Sequence, residues 1–558
     1  MHARKHDLNV IADARIDNWQ ELHDKLGIPP DDNDAWLVLA AYRRWGAECP
    51  RHLIGDFAFC IIDENTDTLL AACDPMNMRP LYHAHRNGML AVGTHIDDLL
   101  DALGEPPRLN RSAVGDWLAG RPDPGLSMLS NIEQLRPGHL VQGNARGISI
   151  RRFWNLQPDK FIRYKQREEY SEHLESLLSR CVTDRLPGGN EPVASQLSGG
   201  MDSTSVTALA WRARQHAKDS LIAVSHTYPD CGAVDEQDLI GATARHLGLK
   251  RHLLIPTTTD IDLDYRELYP PAFDSPGTVV SPRYTDELKQ VRATGASVML
   301  TGSGGDEMTW GHSLSYSQRL LHGDIGVIGE VMRGSRELGL PMLATLLQLF
   351  LRPLLPEWLL HLRRQMRGNR PWPDWIPERT ARELNLEARL DPPPAGFRNP
   401  ALQARHDALI HSSTYHSVRS YAAAGERCGV DVRHPFFDRR LAEFSFAIPD
   451  DLWLRERYPK WLLRKAMTGK LPDSVAWNRH KVVFDTFFAE LIKHQRETIR
   501  DILSHPGLQD LGLVDNRKLL AAFQAVLTND PPSVSVELLH ALMVQIWFQR
   551  HAERFGSC

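Results

Sequence analysis

Residues 195–206 read Ser-Gln-Leu-Ser-Gly-Gly-Met-Asp-Ser-Thr-Ser-Val (SQLSGGMDSTSV). A short apolar strand runs to Leu197, Ser198, Gly199 and Gly200 make a turn, and a helix begins at Asp202. Two glycines let a backbone approach a ligand closely, and a helix start offers unpaired N–H groups and a positive dipole end. With hydroxyls from Ser198, Ser203 and Thr204 added, this is an anion site suited to pyrophosphate. It holds no lysine, so it is not the loop of a phosphoryl-transferring NTPase. Asp202 beside phosphates makes sense mainly with a magnesium ion between them. The bland alternative is a Gly-Gly turn followed by an Asp/Ser helix cap.

A second stretch, LTGSGGDEMTWG (300–311), repeats the design: strand, glycines, then carboxylates at Asp306 and Glu307. Around the two loops, strand and helix signals alternate. REEYSEHLESLLSRCVTDRL (167–186) is an amphipathic helix stopped by Pro187-Gly188-Gly189. SLIAVSHTY, KRHLLIP and ASVMLTG read as strands, with EQDLIGATARHLGL as a helix between the first two. Alternation of this kind predicts a parallel, doubly wound α/β sheet with its ligand at the carboxyl ends of the strands. Beyond residue 315 the chain reads as mainly helical. The first 155 residues differ: LNVIADARID is strand-like, and NWQELHDKLG and DAWLVLAAYRRWG are helices ending at Gly27 and Gly46. GDFAFCIIDENTDTLLAACD and RPLYHAHRNGMLAVGT read as hairpins, the second around Asn87-Gly88. The expected domains are 1–155, α+β, and 165–558.

At 558 residues the chain exceeds one ordinary core. It is 42% hydrophobic and 24% charged with a formal net charge of -5, which gives no electrostatic case for nucleic acid. RPLLPEWLLHLRRQMRGNR (352–370) is the one basic exception, a solvated helix or a partner surface. LPMLATLLQLFLRPLLPEWLLHL (340–362) comes nearest to a membrane span, but Gln348, Arg352 and three prolines break it. The N-terminus has no apolar signal core. Seven scattered cysteines without a CxxC pair indicate neither disulfides nor zinc, and a reducing cytoplasm fits.

LSGGMDS (197–203) resembles the pyrophosphate loop of the ATP-pyrophosphatase fold, and TGSGGDE (301–307) the second loop of asparagine synthetase-like enzymes. RLNRSAVGDWL, NIEQLRPGH and RFW resemble the family's domain junction. GVDVRHPFFD (429–438) and LPDSVAWNRHK (471–481) resemble two further family motifs. The resemblance covers nearly the whole chain. It implies a glutaminase-like, Ntn-type N-terminal domain and an ATP-pyrophosphatase domain with a large helical part. It also implies ATP and magnesium, with an acyl-adenylate as the intermediate on the way to an amide and pyrophosphate as the leaving group. Leu197, Ser198, Gly199, Gly200, Asp202, Ser203 and Thr204, with Gly302, Ser303 and Gly304, would bind nucleotide, and Asp202 and Asp306 the metal. Lys481 would neutralise phosphate charge. Asp431, a shorter arm, stands where the family's glutamate is thought to help deprotonate the amine.

Glutamine-using members carry a nucleophilic cysteine directly after Met, where this chain has His2. DARIDN (13–18) replaces the glutamine-binding NGEIYN, and CDPMNMRPLY (73–82) replaces RDxxGxxPLY. The N-terminal domain is therefore expected to be a relic, with its first strands or start position shortened. Relic domains of this kind occur in β-lactam synthetases and lasso peptide cyclases. AAYRRWG…GDFAF, TGSGGDE and PWPDWI (371–376) in a helical insert at 315–415 resemble the lasso cyclases. That likeness implies a ribosomal precursor peptide as substrate, with a leader peptidase and a leader-recognition protein as partners. The alternatives are an ammonia-dependent asparagine synthetase or other small-molecule amide ligase, and a catalytically dead binding protein. PWPDWI has its own plain reading as a packed loop.

Overall fold

The computed structural model describes the chain except residues 6, 30–32, 87, 262, 264–274, 338, 356–369, 391–394, 398, 480–483, 529–533 and 556–558. In the N-terminal part, strands β1 (His2–Lys5), β2 (Leu8–Ile16), β3 (Gly55–Asp63) and β4 (Thr68–Cys73) lead into β5 (Tyr82–Arg86) and β6 (Met89–Gly93). Then come β7 (Glu133–Gln134), β8 (His139–Asn144) and β9 (Gly147–Arg152). A six-stranded antiparallel sheet runs β1-β2-β3-β4-β8-β9, and a smaller sheet runs β6-β5-β7. Both expected hairpins form, with Asp63 opposite Thr68 and Arg86 opposite Met89. Alternation in β2 buries Val10, Ala12, Ala14 and Ile16, which pack with Leu22, Leu37 and Val38 of helices 19–26 and 34–45. Gly27, at φ +63, ends the first helix, and the Asn33 side chain caps the second.

The second sheet is parallel throughout: β10 (Val193–Gln196), β11 (Leu221–Thr227), β12 (Arg251–Pro256), β13 (Val298–Leu300) and β14 (Asp431–Arg433). Its order is β12-β11-β10-β13-β14. Both faces are buried. Val193, Leu221, Val298 and Leu300 meet Leu174, Leu178, Val206 and Leu209 of helices 167–183 and 201–213. Ala194, Ile222, Val224 and Met299 meet Leu288, Val291, Tyr421 and Ala424 of helices 281–293 and 412–428. Successive strand residues point to opposite faces, so one short apolar run feeds two cores. Chain order reverses between β10 and β13, which makes their carboxyl ends the topological switch point where such sheets bind ligands.

The expectation of a mainly helical chain beyond 315 missed β14, which completes the sheet, and a small hairpin at Leu454–Arg455 and Tyr458–Pro459. Three-residue strands carry too little period to register. In PWPDWI, Trp375 is buried and donates its indole N–H to Leu118 O at 3.1 Å, as a packed loop would. Most of the basic segment 352–370 lies outside the described residues. Among those described, no helix is long and apolar enough to cross a membrane.

The two parts are joined by a buried ion cluster. Arg185, 1% exposed, lies 3.0 Å from Asp17 and 3.6 Å from Asp56 of the N-terminal sheet, and 2.8 Å from Asp438. Arg15 adds contacts to Asp17 and, at 2.6 Å, to Asp56.

Candidate active site

The loops after β10 and β13 lie against each other. A Cβ on Gly302 would sit 2.4 Å from Ser203 N, and one on Gly305 would fall on the Asp202 carboxylate. Glycine is required at both positions for the second loop to rest on the first turn of helix 201–213. Within the first loop, the Ser198 and Ser203 hydroxyls are 2.7 Å apart, and Gly200 N donates to Ser198 Oγ at 3.1 Å. Gly199 N donates to Glu236 Oε2 at 3.2 Å. Burial pushes the Glu236 carboxyl's pKa up. The loop N–H thus already donates to a carboxyl oxygen from within the protein.

Asp202, in the first helical turn, and Asp306, in helix 305–309, converge on the ammonium of Lys460. Its Nζ contacts Asp202 Oδ2 and lies 2.6 Å from Asp306 Oδ1, with the Trp310 ring centroid at 5.6 Å. Burial opposes the lysine's charge, but the two carboxylates outweigh it and raise its pKa. Lys460 was not foreseen: it lies 258 residues from Asp202, and no local spacing marks it. Two carboxylates meeting at one cation, beside a phosphate-type loop, form a donor set that fits magnesium. That ion is commonly held by one or two carboxylates, with phosphate oxygens and waters completing its shell.

Other expected site residues fall elsewhere. Thr204 is fully buried and donates its hydroxyl to Ser198 O at 2.7 Å, so it braces the loop and has none left for a ligand. Leu197 spends its N–H on Val224 O at 2.8 Å and its side chain on an apolar cluster. Gly304, at φ +91, packs against the Phe437 ring and the Phe436 Cβ. Ser303 N donates to Thr301 Oγ1 at 3.2 Å. Glu307 turns aside to accept from Thr414 Oγ1 at 2.9 Å. Lys481 lies outside the described residues.

Asp431 is not brought to the loops. It opens β14 in register with Val298, whereas the loops follow the other end of the sheet. At ~3.3 Å per residue this is on the order of 13 Å from Gly302. Burial pushes its pKa up, but Arg433, at 2.7 Å, and Arg79, at 3.2 Å, more than offset that and hold it ionised. It lines a cavity of about 640 Å³ between the two parts of the chain, together with Asp13, Arg79, Arg419 and Trp547.

In the DARIDN segment, Arg15 and Asp17 are held in the ion cluster with Arg185. Burial pushes the thiols of Cys49, Cys73 and Cys181 well up, and that of Cys60 to about 12, so none of these four is prepared as a thiolate.

Comparison with known proteins places two family models on the chain. Asparagine synthase matches residues 173–549, and the glutamine amidotransferase domain matches residues 1–154. Asparagine synthetase [glutamine-hydrolyzing] 3 of Bacillus subtilis (strain 168) is 24% identical over 507 residues, covering 87% of this chain and 76% of that protein. Amidase chry2 of Gibberella zeae is 24% identical over 542 residues, covering 87% and 77%. Amidase chyE of Penicillium rubens is 22% identical over 588 residues, covering 95% and 85%.

Proposed function

The chain belongs to the asparagine synthase family and is an asparagine synthetase-like, ATP-dependent amide ligase; on that premise we propose that it closes a macrolactam in a ribosomal lasso-type precursor peptide. The observation that carries this reading is the fate of the DARIDN segment. Residues that stand where glutamine would be gripped are spent on a buried clamp between the domains. An amide ligase that draws no ammonia from glutamine finds its amine elsewhere, and a peptide N-terminus on the same substrate is such a source. A leader peptidase would expose that amine, and a leader-recognition protein would deliver the precursor, in a cytoplasmic setting.

In the proposed reaction an Asp or Glu side-chain carboxylate of the peptide attacks the α-phosphorus of ATP. The bond to the bridging oxygen breaks, pyrophosphate leaves, and an acyl-adenylate forms. The peptide amine then attacks the acyl carbon, AMP departs, and the amine's proton passes to solvent or phosphate. Ser198, Gly200 and Ser203 would hold pyrophosphate at the helix start, where N–H groups face the developing charge. Asp202 and Asp306 would hold magnesium, which when bound neutralises charge on the phosphates. Gly302 lets the second loop close against the first. Lys481 is the proposed further cation on the phosphates.

The test is AMP release by the purified chain with magnesium ATP under two conditions. With precursor peptide and its protease, we expect AMP and a product lighter than the linear core peptide by one water. AMP with aspartate and ammonium alone would instead make the chain an ammonia-fed asparagine synthetase, the reading favoured by its asparagine synthetase-named relatives.

A further inference from the structure

We infer that Lys460 is an internal counter-cation that closes the Asp202–Asp306 pair to divalent metal until a polyphosphate draws its ammonium away. The inference rests on the reading of the two loops as a magnesium–pyrophosphate site, and extends it to how the site is kept before substrate arrives. Asp202 and Asp306 come from different elements, so it is tertiary packing that sets two negative charges side by side. Carboxylates so placed need a cation or a proton between them. Lys460 meets that need with Nζ touching Asp202, 2.6 Å from Asp306, and only 5% of the residue exposed.

A lysine ammonium is a compact point charge on a flexible stem, so it can leave as readily as it enters. A magnesium ion drawn to the same two carboxylates would lie close against the ammonium, and two cations at that separation repel. Phosphate oxygens bound at Ser198, Gly200 and Ser203 would lie beside this pair and offer the ammonium another acceptor. Metal and polyphosphate should therefore enter together, each favouring the other by the same factor. The anion side is arranged alike, with the Glu236 carboxylate on Gly199 N–H where a phosphate oxygen would bind.

The backbone supplies a second observation. Glu456 and Arg457 form the two-residue turn of the Leu454–Arg455/Tyr458–Pro459 hairpin and take the positive φ usual there, whereas Lys460 is a separate non-glycine position in the left-handed region. A lysine in that region is uncommon and persists where surrounding structure over-determines it. At Lys460 (φ +58) the strained turn aims the side chain from the start of helix 461–466 into the carboxylate pair.

The test uses the full chain without nucleotide and manganese as the probe, read by electron paramagnetic resonance of free Mn²⁺ and by thermal melting. Wild type should bind Mn²⁺ weakly, and its melting temperature should be the same in EDTA and in Mn²⁺. K460M should bind Mn²⁺ at least tenfold more tightly than wild type. It should melt low in EDTA and be restored by Mn²⁺. K460R, which keeps the charge, should gain no metal affinity. Tight Mn²⁺ binding by wild type alone would overturn the inference, as would K460M with unchanged affinity. So would a K460M chain that fails to fold even in Mn²⁺, since the ion should satisfy both carboxylates. No peptide or ATP enters this experiment, so the ring-closing reading and the lysine's role can fail separately.

Discussion

Gly302 shows how much one missing methyl group can matter. Its neighbour across the loops is Ser203 N, 2.4 Å from where a Cβ would stand, and that atom is backbone at a helix start. Gly302→Ala must push the second loop off the first, moving Asp306 relative to Asp202. We expect AMP formation to fall at least tenfold while overall stability drops by only about 1–3 kcal/mol, the usual cost of overpacking. Parallel AMP assays and urea unfolding check this; a variant with full activity would mean the loops need not touch. The glycines and acids of both loops were legible in the sequence because strand, glycine turn and helix start are consecutive residues. Thr204 and Leu197 were not: whether a loop hydroxyl or N–H faces a ligand or braces its neighbours depends on what packs behind it.

Elements explain Asp431. The motif GVDVRHPFFD contains a three-residue strand, and the strand's first residue lies at the amino end of the parallel sheet, whereas both glycine loops follow its carboxyl end. Motif likeness alone could not reveal this, since it does not say which end of β14 a side chain occupies. Asp431→Asn should leave AMP formation within about threefold of wild type, read by the same assay under saturating ATP; a loss of a hundredfold would place Asp431 in the reaction after all. By contrast, β10, β11, β12 and β13 were all anticipated, because each is an apolar run bounded by helices of clear period.

Across the whole molecule, the Arg15–Asp17–Asp56–Arg185–Asp438 cluster joins the domains. Burial pushes the Asp56 carboxyl up, but Arg15 and Arg185 more than offset it and hold its pKa at about 2. A carboxyl depressed on folding stabilises the protein above its unfolded pKa of ~3.9 and loses that contribution as pH falls through its folded value. Stability should therefore decline between about pH 4 and about pH 2, as protons reach Asp56. Asp56→Asn should be less stable at neutral pH yet flatter across that window. Urea midpoints at several pH values check both; parallel curves for the two proteins would assign the acid sensitivity elsewhere.

The order of secondary elements, the two glycine loops, the acids that follow them and the family itself follow from local sequence, because neighbouring residues set turn, helix start and period. Which of those side chains meet is a matter of distant packing. The first loop contains no lysine, yet the folded chain brings Lys460 to it from 258 residues away. A charge pair formed across the molecule leaves no spacing in the chain, and only the sheet that carries both loops, with the turn held above them, puts that ammonium where the carboxylates need it.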